Sequence, residues 1–168
     1  MRSRIVLLSI AAGLCVRAAD MSSCAATPAA RQLDYWLGDW SVSSPNAPGT
    51  GHSKVYLSLD ECLLVESWNS DTSPHNGENT LAYNAADNTW YGLFVDNHGR
   101  VHSFKGPAAS GAAALQGPAL DENGKPILKR VRIVRAAADA MEQIWEKSLD
   151  NGATWVTEYR MEYARTRP

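Results

Sequence analysis

The sequence predicts an all-β protein, an antiparallel β-barrel of about ten strands with a short N-terminal helix. Beyond residue 38, short runs rich in β-branched and aromatic residues alternate with clusters of turn-forming residues, a pattern typical of sandwiches and barrels. Helical spacing of apolar residues occurs in one brief segment near the N-terminus. The connections between the runs are short, which favours antiparallel pairing of neighbouring strands.

The first 26 residues have the features of a secretory signal peptide and leader. Basic Arg2 and Arg4 precede an apolar run over residues 5–16, and small residues follow. The run is too short to span a bilayer comfortably. Cleavage after Ala18 or near residues 25–26 would fit, and retention as an uncleaved buried helix is the alternative. We expect residues 27–168 to form one barrel domain, periplasmic or secreted, with no membrane span.

The cysteines leave two alternatives open. Cys15 and Cys24 lie where a lipid anchor would be attached, but the residues around both are poor matches for acylation. If cleavage precedes Cys24, its thiol can pair with Cys62. If cleavage follows Cys24, Cys62 is left alone and is expected to be a small buried hydrophobe.

The charge balance argues against a nucleic-acid partner. Removing residues 1–26 takes away three Arg and one Asp, which leaves 13 basic and 17 acidic groups and a formal net charge of about −4. No run of like charge forms a basic face or an acidic tail. The sequence does not indicate an oligomeric state.

A short helix is predicted over residues 29–37, because Leu33, Trp36 and Leu37 share one face and Gly38 ends the pattern. The predicted strands cover residues 39–44, 54–59, 63–69, 79–84, 89–96, 100–105, 112–116, 127–135, 140–148 and 154–163. Closure into a barrel would remove the exposed edges of such a sheet, but alternation alone leaves a two-sheet sandwich open.

The segment after the leader carries a family resemblance. It reads Leu33-Asp34-Tyr35-Trp36-Leu37-Gly38-Asp39-Trp40, and it resembles the start of an uncharacterised family of exported bacterial lipocalin-like (calycin-type) proteins. The resemblance continues in residues 62–68, at Tyr83, Asn84, Trp90, Val95 and Asp96, and in residues 143–155. It implies that the helix over residues 31–37 plugs one end of the barrel, where Trp36 and Gly38 lie, that Trp40 closes the barrel floor, and that a late arginine, Arg160 here, stacks on Trp40.

A second motif predicts a hairpin. Ser148, Asp150, Gly152, Thr154 and Trp155 match the Asp-box, in which short polar side chains accept free backbone N–H groups of a turn. Gly152 would adopt a positive φ, and Trp155 would pack beneath the turn. The motif indicates local structure and carries no functional information. A single copy also argues against a propeller, which would repeat it.

Alternation along the strands indicates a candidate binding site. Side chains two positions apart lie on the same face of a strand, so Glu66 shares a face with Trp68 on one strand and Gln143 shares a face with Trp145 on another. Trp90 would add a further apolar wall, and Arg132, on a strand beside Gln143, would add a cation. The predicted ligand-binding residues are therefore Glu66, Trp68, Trp90, Arg132, Gln143 and Trp145. A buried Glu66 must be hydrogen-bonded, paired or protonated.

Four interpretations of these residues compete. The first is an internal polar cluster that specifies the core. The leading functional hypothesis is an exported, non-catalytic protein that binds a small, largely apolar molecule inside the barrel. An alternative is a periplasmic isomerase, cyclase or hydrolase with Glu66 as general acid or base and Arg132 as anion stabiliser.

Haem binding through a single histidine is the remaining alternative. We expect no cofactor and no metal, since none of the four histidines, His52, His75, His98 and His102, has zinc-ligand spacing. For each histidine we expect a solvent-exposed or turn-capping role, with His98 and His102 flanking one turn.

Overall fold

The computed structural model describes residues 24–45, 50–109 and 111–166 and confirms the all-β prediction. The chain forms a closed antiparallel barrel of ten strands with one extra short strand. Residues 1–23, which include most of the predicted signal peptide and leader, lie outside the described residues. The strands are β1 Gly38–Ser43, β2 Thr50–Ser58, β3 Leu63–Ser70, β4 Asn76–Asn84, β5 Thr89–Asp96, β6 Val101–Gly106, β7 Ala108–Ala109, β8 Ala112–Leu120, β9 Pro126–Ala137, β10 Ala140–Ser148 and β11 Val156–Arg165.

Closure of the sheet excludes the sandwich. Strands β1 to β6 pair each with the next, β8 to β11 do the same, and β1 pairs with β11, so the first strand meets the last. The remaining gap is closed between β6 and β8, where Lys105 is opposite Gln116. Gly106 and Gly117 lie at this crossing, and a Cβ on either would collide with the backbone of the facing strand. All ten predicted strands are present, and the two-residue β7 was missed.

The N-terminal plug consists of three short 3-10 helices, Cys24–Ala26, Pro28–Arg31 and Asp34–Trp36. The prediction of one continuous helix over residues 29–37 was wrong, because the chain turns between the second and third of these helices. Leu33 and Trp36 are nevertheless fully buried in the core, as the spacing predicted. Among the described residues, no helix is long and apolar enough to cross a membrane.

A disulfide between Cys24 and Cys62 fastens the plug to the β2–β3 loop. The two cysteines are 38 residues apart, and their Cα atoms are separated by 5.0 Å. Arg31 reinforces this attachment by donating to the Glu61 carboxylate at 3.1 Å and to the Glu61 carbonyl at 2.6 Å. Cys62 is therefore paired and is not a lone buried thiol.

Trp40 closes the plugged end, but its cationic partner is Arg165. The Arg165 guanidinium lies 4.2 Å from the centre of the Trp40 ring and donates to the carbonyl of Leu37 at 2.8 Å. The prediction of Arg160 was wrong because β1 and β11 pair with Trp40 opposite Arg165. Gly38 has a φ of +124°, and a Cβ there would collide with the same guanidinium, which explains the glycine.

The predicted Asp-box forms the β10–β11 turn. Ser148 Oγ accepts from the Gly152 amide at 2.7 Å, and Asp150 accepts from the amide and hydroxyl of Thr154 at 2.8 and 2.6 Å. The Trp155 indole donates to the Gly152 carbonyl at 3.1 Å. Gly152 has the expected positive φ of +90°. The Thr154 hydrogen bonds, with one from Ser148, lower the pKa of Asp150 to about 2.

Candidate functional site

Glu66 is the centre of a buried polar cluster that joins five strands. Its side chain is inaccessible to solvent. Its carboxylate accepts hydrogen bonds from Ser53 Oγ at 2.7 Å, Tyr163 OH at 2.8 Å, Asn79 Nδ2 at 2.6 Å and Gln143 Nε2 at 2.9 Å. The donors come from β2, β11, β4 and β10, and Glu66 itself lies on β3. The cluster therefore crosses the barrel interior and links strands that are distant in sequence.

The two carboxylate oxygens have different partners. Oε1 accepts from the hydroxyls of Ser53 and Tyr163, whereas Oε2 accepts from the amides of Asn79 and Gln143. The Trp145 indole N–H donates to Gln143 Oε1 at 3.1 Å, which fixes the Gln143 amide with its N–H towards Glu66. A proton on Glu66 must therefore sit on Oε1, since hydroxyls can reverse to accept and amide N–H groups cannot.

Burial dominates the electrostatics of this cluster. Desolvation raises the pKa of Glu66 above its ordinary value, although the four hydrogen bonds oppose the rise. Desolvation also raises the pKa of Tyr163 far above 10, and the neighbouring Glu66 charge acts in the same direction. Among the described residues, no lysine or arginine contacts the Glu66 carboxylate, so hydrogen bonds alone stabilise its charged form.

A cavity of about 390 Å³ lies above this cluster, at the barrel end away from the plug. Glu66, Gln143 and Tyr163 contribute to its floor, and the walls are largely aromatic. Trp145 stacks on Tyr159 with ring centres 5.6 Å apart and planes inclined by 19°. Phe94 and Phe104 each lie edge-on to Trp145, with ring centres 5.5 Å from it. The remaining apolar wall residues are Val42, Trp68 and Met161.

Basic residues lie at the mouth of the cavity. They are His75, Arg100, His102 and Lys129. Arg100 is held by Asp96, whose fully buried side chain accepts from the Arg100 guanidinium at 2.5 Å. Burial would raise the pKa of Asp96, but hydrogen bonds from Arg100, His75 and the His98 amide hold it well below its ordinary value. His102 is stacked on Phe94 and half-buried, and burial followed by the charges of Lys129 and Arg100 lowers its pKa.

Four of the six predicted site residues meet at the cavity: Glu66, Trp68, Gln143 and Trp145. Trp90 points inward but lies at the plugged end, where it belongs to the buried core with Leu33 and Trp36. Arg132 lies on the outer surface and pairs with Glu146 at 3.1 Å. The expectation for Arg132 was wrong because Val131 and Ile133 are the buried residues of this part of β9, which turns Arg132 outward.

Several cavity residues were missed by the sequence analysis. Tyr159, Met161 and Tyr163 share one face of β11 at a period of two, which is a signal that alternation offers. Arg100 and Lys129 lie at or near strand ends, where alternation is least informative. His102 was expected at the surface, but it packs against Phe94 inside the mouth.

Neither metal ligation nor sequence comparison assigns a function to this site. The described residues contain no group of three or more His, Cys, Asp or Glu side chains placed to hold a metal ion. No protein-family model matches the chain, and no curated protein is significantly similar to it. The resemblance to exported lipocalin-like proteins therefore depends on the sequence motifs alone.

Proposed function

We propose that this protein binds a small, largely apolar molecule in the open end of the barrel and does not transform it. The observation that carries this proposal is the aromatic-walled cavity of about 390 Å³ above the Glu66 cluster. Ligand sites in proteins are concave, mostly apolar and roughly 300–1,000 Å³ in volume, with a few polar groups that orient the ligand. The cavity has each of these properties.

The state of Glu66 favours binding over catalysis. A carboxylate has about four lone-pair positions, and four donors occupy them. A general acid or base must come within hydrogen-bond reach of the proton that it transfers, but Glu66 is inaccessible to solvent. Its raised pKa is explained by burial, and the role of the carboxylate is to organise the floor of the cavity.

The disulfide supports export. Disulfides persist in oxidising compartments and are rare in the cytoplasm, and Cys24 lies just after a stretch with the features of a signal peptide. We therefore propose that the protein works in the periplasm or outside the cell, after cleavage on the N-terminal side of Cys24. A Cys24 thiol in a disulfide is also not available for acylation.

The test uses N-phenyl-1-naphthylamine, a neutral apolar probe that fluoresces on leaving water. We expect saturable binding of one probe per chain. The variant Met161→Trp adds bulk inside the cavity and should weaken binding by about tenfold or more, equivalent to roughly 1.4 kcal/mol. The matched control is Leu93→Trp, which adds the same side chain at a position 42% exposed on the outer surface.

Circular dichroism and melting temperature establish that both variants are folded. Unsaturable probe fluorescence in the wild type, or equal weakening by Met161→Trp and Leu93→Trp, would contradict binding in the cavity. If the protein chemically converts a ligand that was extracted with it from its native host, the alternative of a periplasmic enzyme is favoured instead.

A further inference from the structure

The charged side chains at the mouth of the cavity are basic, and the carboxylates that pair with them lie outside the cavity lining. Arg100 and Lys129 line the mouth, whereas the carboxylates that pair with them, Asp96 and Glu158, do not. The acidic residue in the lining is Glu66, which is inaccessible and fully hydrogen-bonded. A molecule entering the cavity therefore meets cationic side chains first.

The Arg100 side of the mouth is fixed by buried hydrogen bonds. Asp96 Oδ1 accepts from the backbone amides of His98 and Arg100 at 3.0 and 2.9 Å, which holds the carboxylate in the turn. Its Oδ2 then accepts from Arg100 Nε, so the guanidinium is oriented from behind. The Arg100 side chain is still 56% exposed. Arg100 Nη2 also contacts His75 Nε2 at 2.8 Å, so a second anion would bind to the remaining N–H groups of a guanidinium that is already ordered, with little further loss of entropy.

The Lys129 side carries an excess of positive charge. Lys129 Nζ lies 3.1 Å from Glu158, and Lys147 Nζ approaches the same carboxylate at 3.6 Å. Two ammonium groups thus share one carboxylate, and of the two lysines Lys129 lines the cavity. His102 lies within the fields of Lys129 and Arg100 and also of their partners Glu158 and Asp96, which places both ion pairs around the same part of the mouth.

We infer that the ligand is a small amphiphilic organic acid, whose anionic group binds to Arg100 and Lys129 and whose apolar body packs against Trp145 and Tyr159. This inference deepens the proposed binding function and rests on it. Charge-assisted hydrogen bonds to guanidinium and ammonium groups are roughly twice as strong as neutral ones. They would orient the molecule with its polar end outward and its apolar end above the Glu66 cluster.

Three probes that share a naphthalene ring test the inference by isothermal titration calorimetry. They are 2-naphthoate, the neutral 2-naphthamide and the cationic 2-naphthylmethylammonium. We expect naphthoate to bind about tenfold or more tightly than naphthamide, as one charge-assisted hydrogen bond would produce. The ammonium compound should bind most weakly, and added salt should reduce the naphthoate preference because the mouth is partly exposed.

A matched pair of lysine variants locates the effect. Lys129→Met removes the cavity-facing ammonium while Glu158 keeps Lys147 as its partner, so naphthoate should lose most of its advantage over naphthamide. Lys147→Met removes the other lysine on Glu158 and should leave that advantage intact. Lys129→Arg should restore it. Naphthamide affinity should be similar in all three variants, which also establishes that they are folded.

The outcomes separate the two proposals. If none of the three probes binds to the wild type, the proposed function and this inference both fall. If naphthamide binds as tightly as naphthoate, or the ammonium compound binds best, the cavity binds ligands but the anion preference is overturned. Equal effects of Lys129→Met and Lys147→Met would overturn the placement of the anion at the mouth.

Discussion

Replacing Glu66 tests whether the cluster stabilises the barrel through hydrogen bonds or through charge. In Glu66→Leu, the amides of Asn79 and Gln143 lose their acceptor inside the barrel. Gln143 is buried, and a buried donor left without a partner costs about 1–3 kcal/mol; Asn79 is half-buried and lines the cavity, so it adds less. The hydroxyls of Ser53 and Tyr163 can rotate and add less. Since a domain has a free energy of unfolding of about 5–15 kcal/mol, Glu66→Leu should lose a substantial part of its stability.

Glu66→Gln should behave very differently. Its amide oxygen can occupy the Oε2 position and accept from Asn79 and Gln143. Its NH₂ group then occupies the Oε1 position and donates to the hydroxyl oxygens of Ser53 and Tyr163, which can act as acceptors. All four hydrogen bonds are kept. We expect its free energy of unfolding at mildly acidic pH to lie within about 1 kcal/mol of the wild type.

The pH dependence of the difference follows from the raised pKa of Glu66. Below the unfolded pKa, near 4.5, both states of the wild type carry the proton. Between that value and the higher folded pKa, unfolding releases a proton, so wild-type stability falls as pH rises. The slope reaches at most about 1.4 kcal/mol per pH unit. A glutamine side chain does not titrate, so Glu66→Gln should become increasingly stable relative to the wild type as pH rises through this window.

Urea unfolding of the wild type and both variants over a pH series from 4 upward measures these differences. A constant difference between Glu66→Gln and the wild type across the series would refute the buried, proton-retaining carboxyl. Equal destabilisation by Glu66→Gln and Glu66→Leu would refute the hydrogen-bond inversion. A fully stable Glu66→Leu would mean that the cluster contributes little to the fold.

Two further predictions concern other parts of the barrel. Replacing Cys24 and Cys62 together by serine should lower the free energy of unfolding by about 4 kcal/mol, which is the chain-entropy value for a loop of 38 residues. Dithiothreitol should lower the melting temperature of the wild type but not that of the double variant. Asp150 has a pKa of about 2 against an ordinary 3.8, because Thr154 hydrogen bonds stabilise its charge. Its stabilising effect is complete above pH 3.8 and is lost as pH falls through 2, so Asp150→Ala should melt earlier than the wild type at pH 7 but not near pH 2.

The fold was largely predictable because its strands alternate and its turns carry specific residues. Strands β5 and β10 begin and end where the pattern predicts, and the Asp-box turn forms the expected hydrogen bonds. Closure was not predictable from alternation, since it depends on the pairing of β6 with β8 across a sharp crossing at Gly106 and Gly117. Strand β7 was missed because Ala108 and Ala109 carry no strand signal of their own.

The candidate site was predictable residue by residue, but not as a set of partners. Alternation placed Glu66, Gln143 and Trp145 inward, and the structure brings them into hydrogen-bonded contact. It misplaced Arg132 because both faces of β9 mix basic and apolar residues, so alternation does not reveal which face is inward. One face carries Leu128, Arg130, Arg132 and Val134, and the other carries Ile127, Lys129, Val131 and Ile133. One hydrogen-bond donor to Glu66 is Tyr163, which lies 97 positions away in the sequence. Only the strand pairing of the closed sheet brings these two residues together.

The cluster divides the barrel interior into two halves with separate roles. Below it, Trp36, Trp40 and Trp90 are buried in the core of the plugged end. Above it, Trp145 lines a space that they leave open. An internal polar cluster and a binding cavity were competing interpretations of the same sequence, and the structure contains a polar cluster and, at a different depth, an open cavity. Changes in the cluster should therefore act on stability first, whereas changes at the mouth, such as Lys129→Met, should act on binding while leaving the melting temperature nearly unchanged.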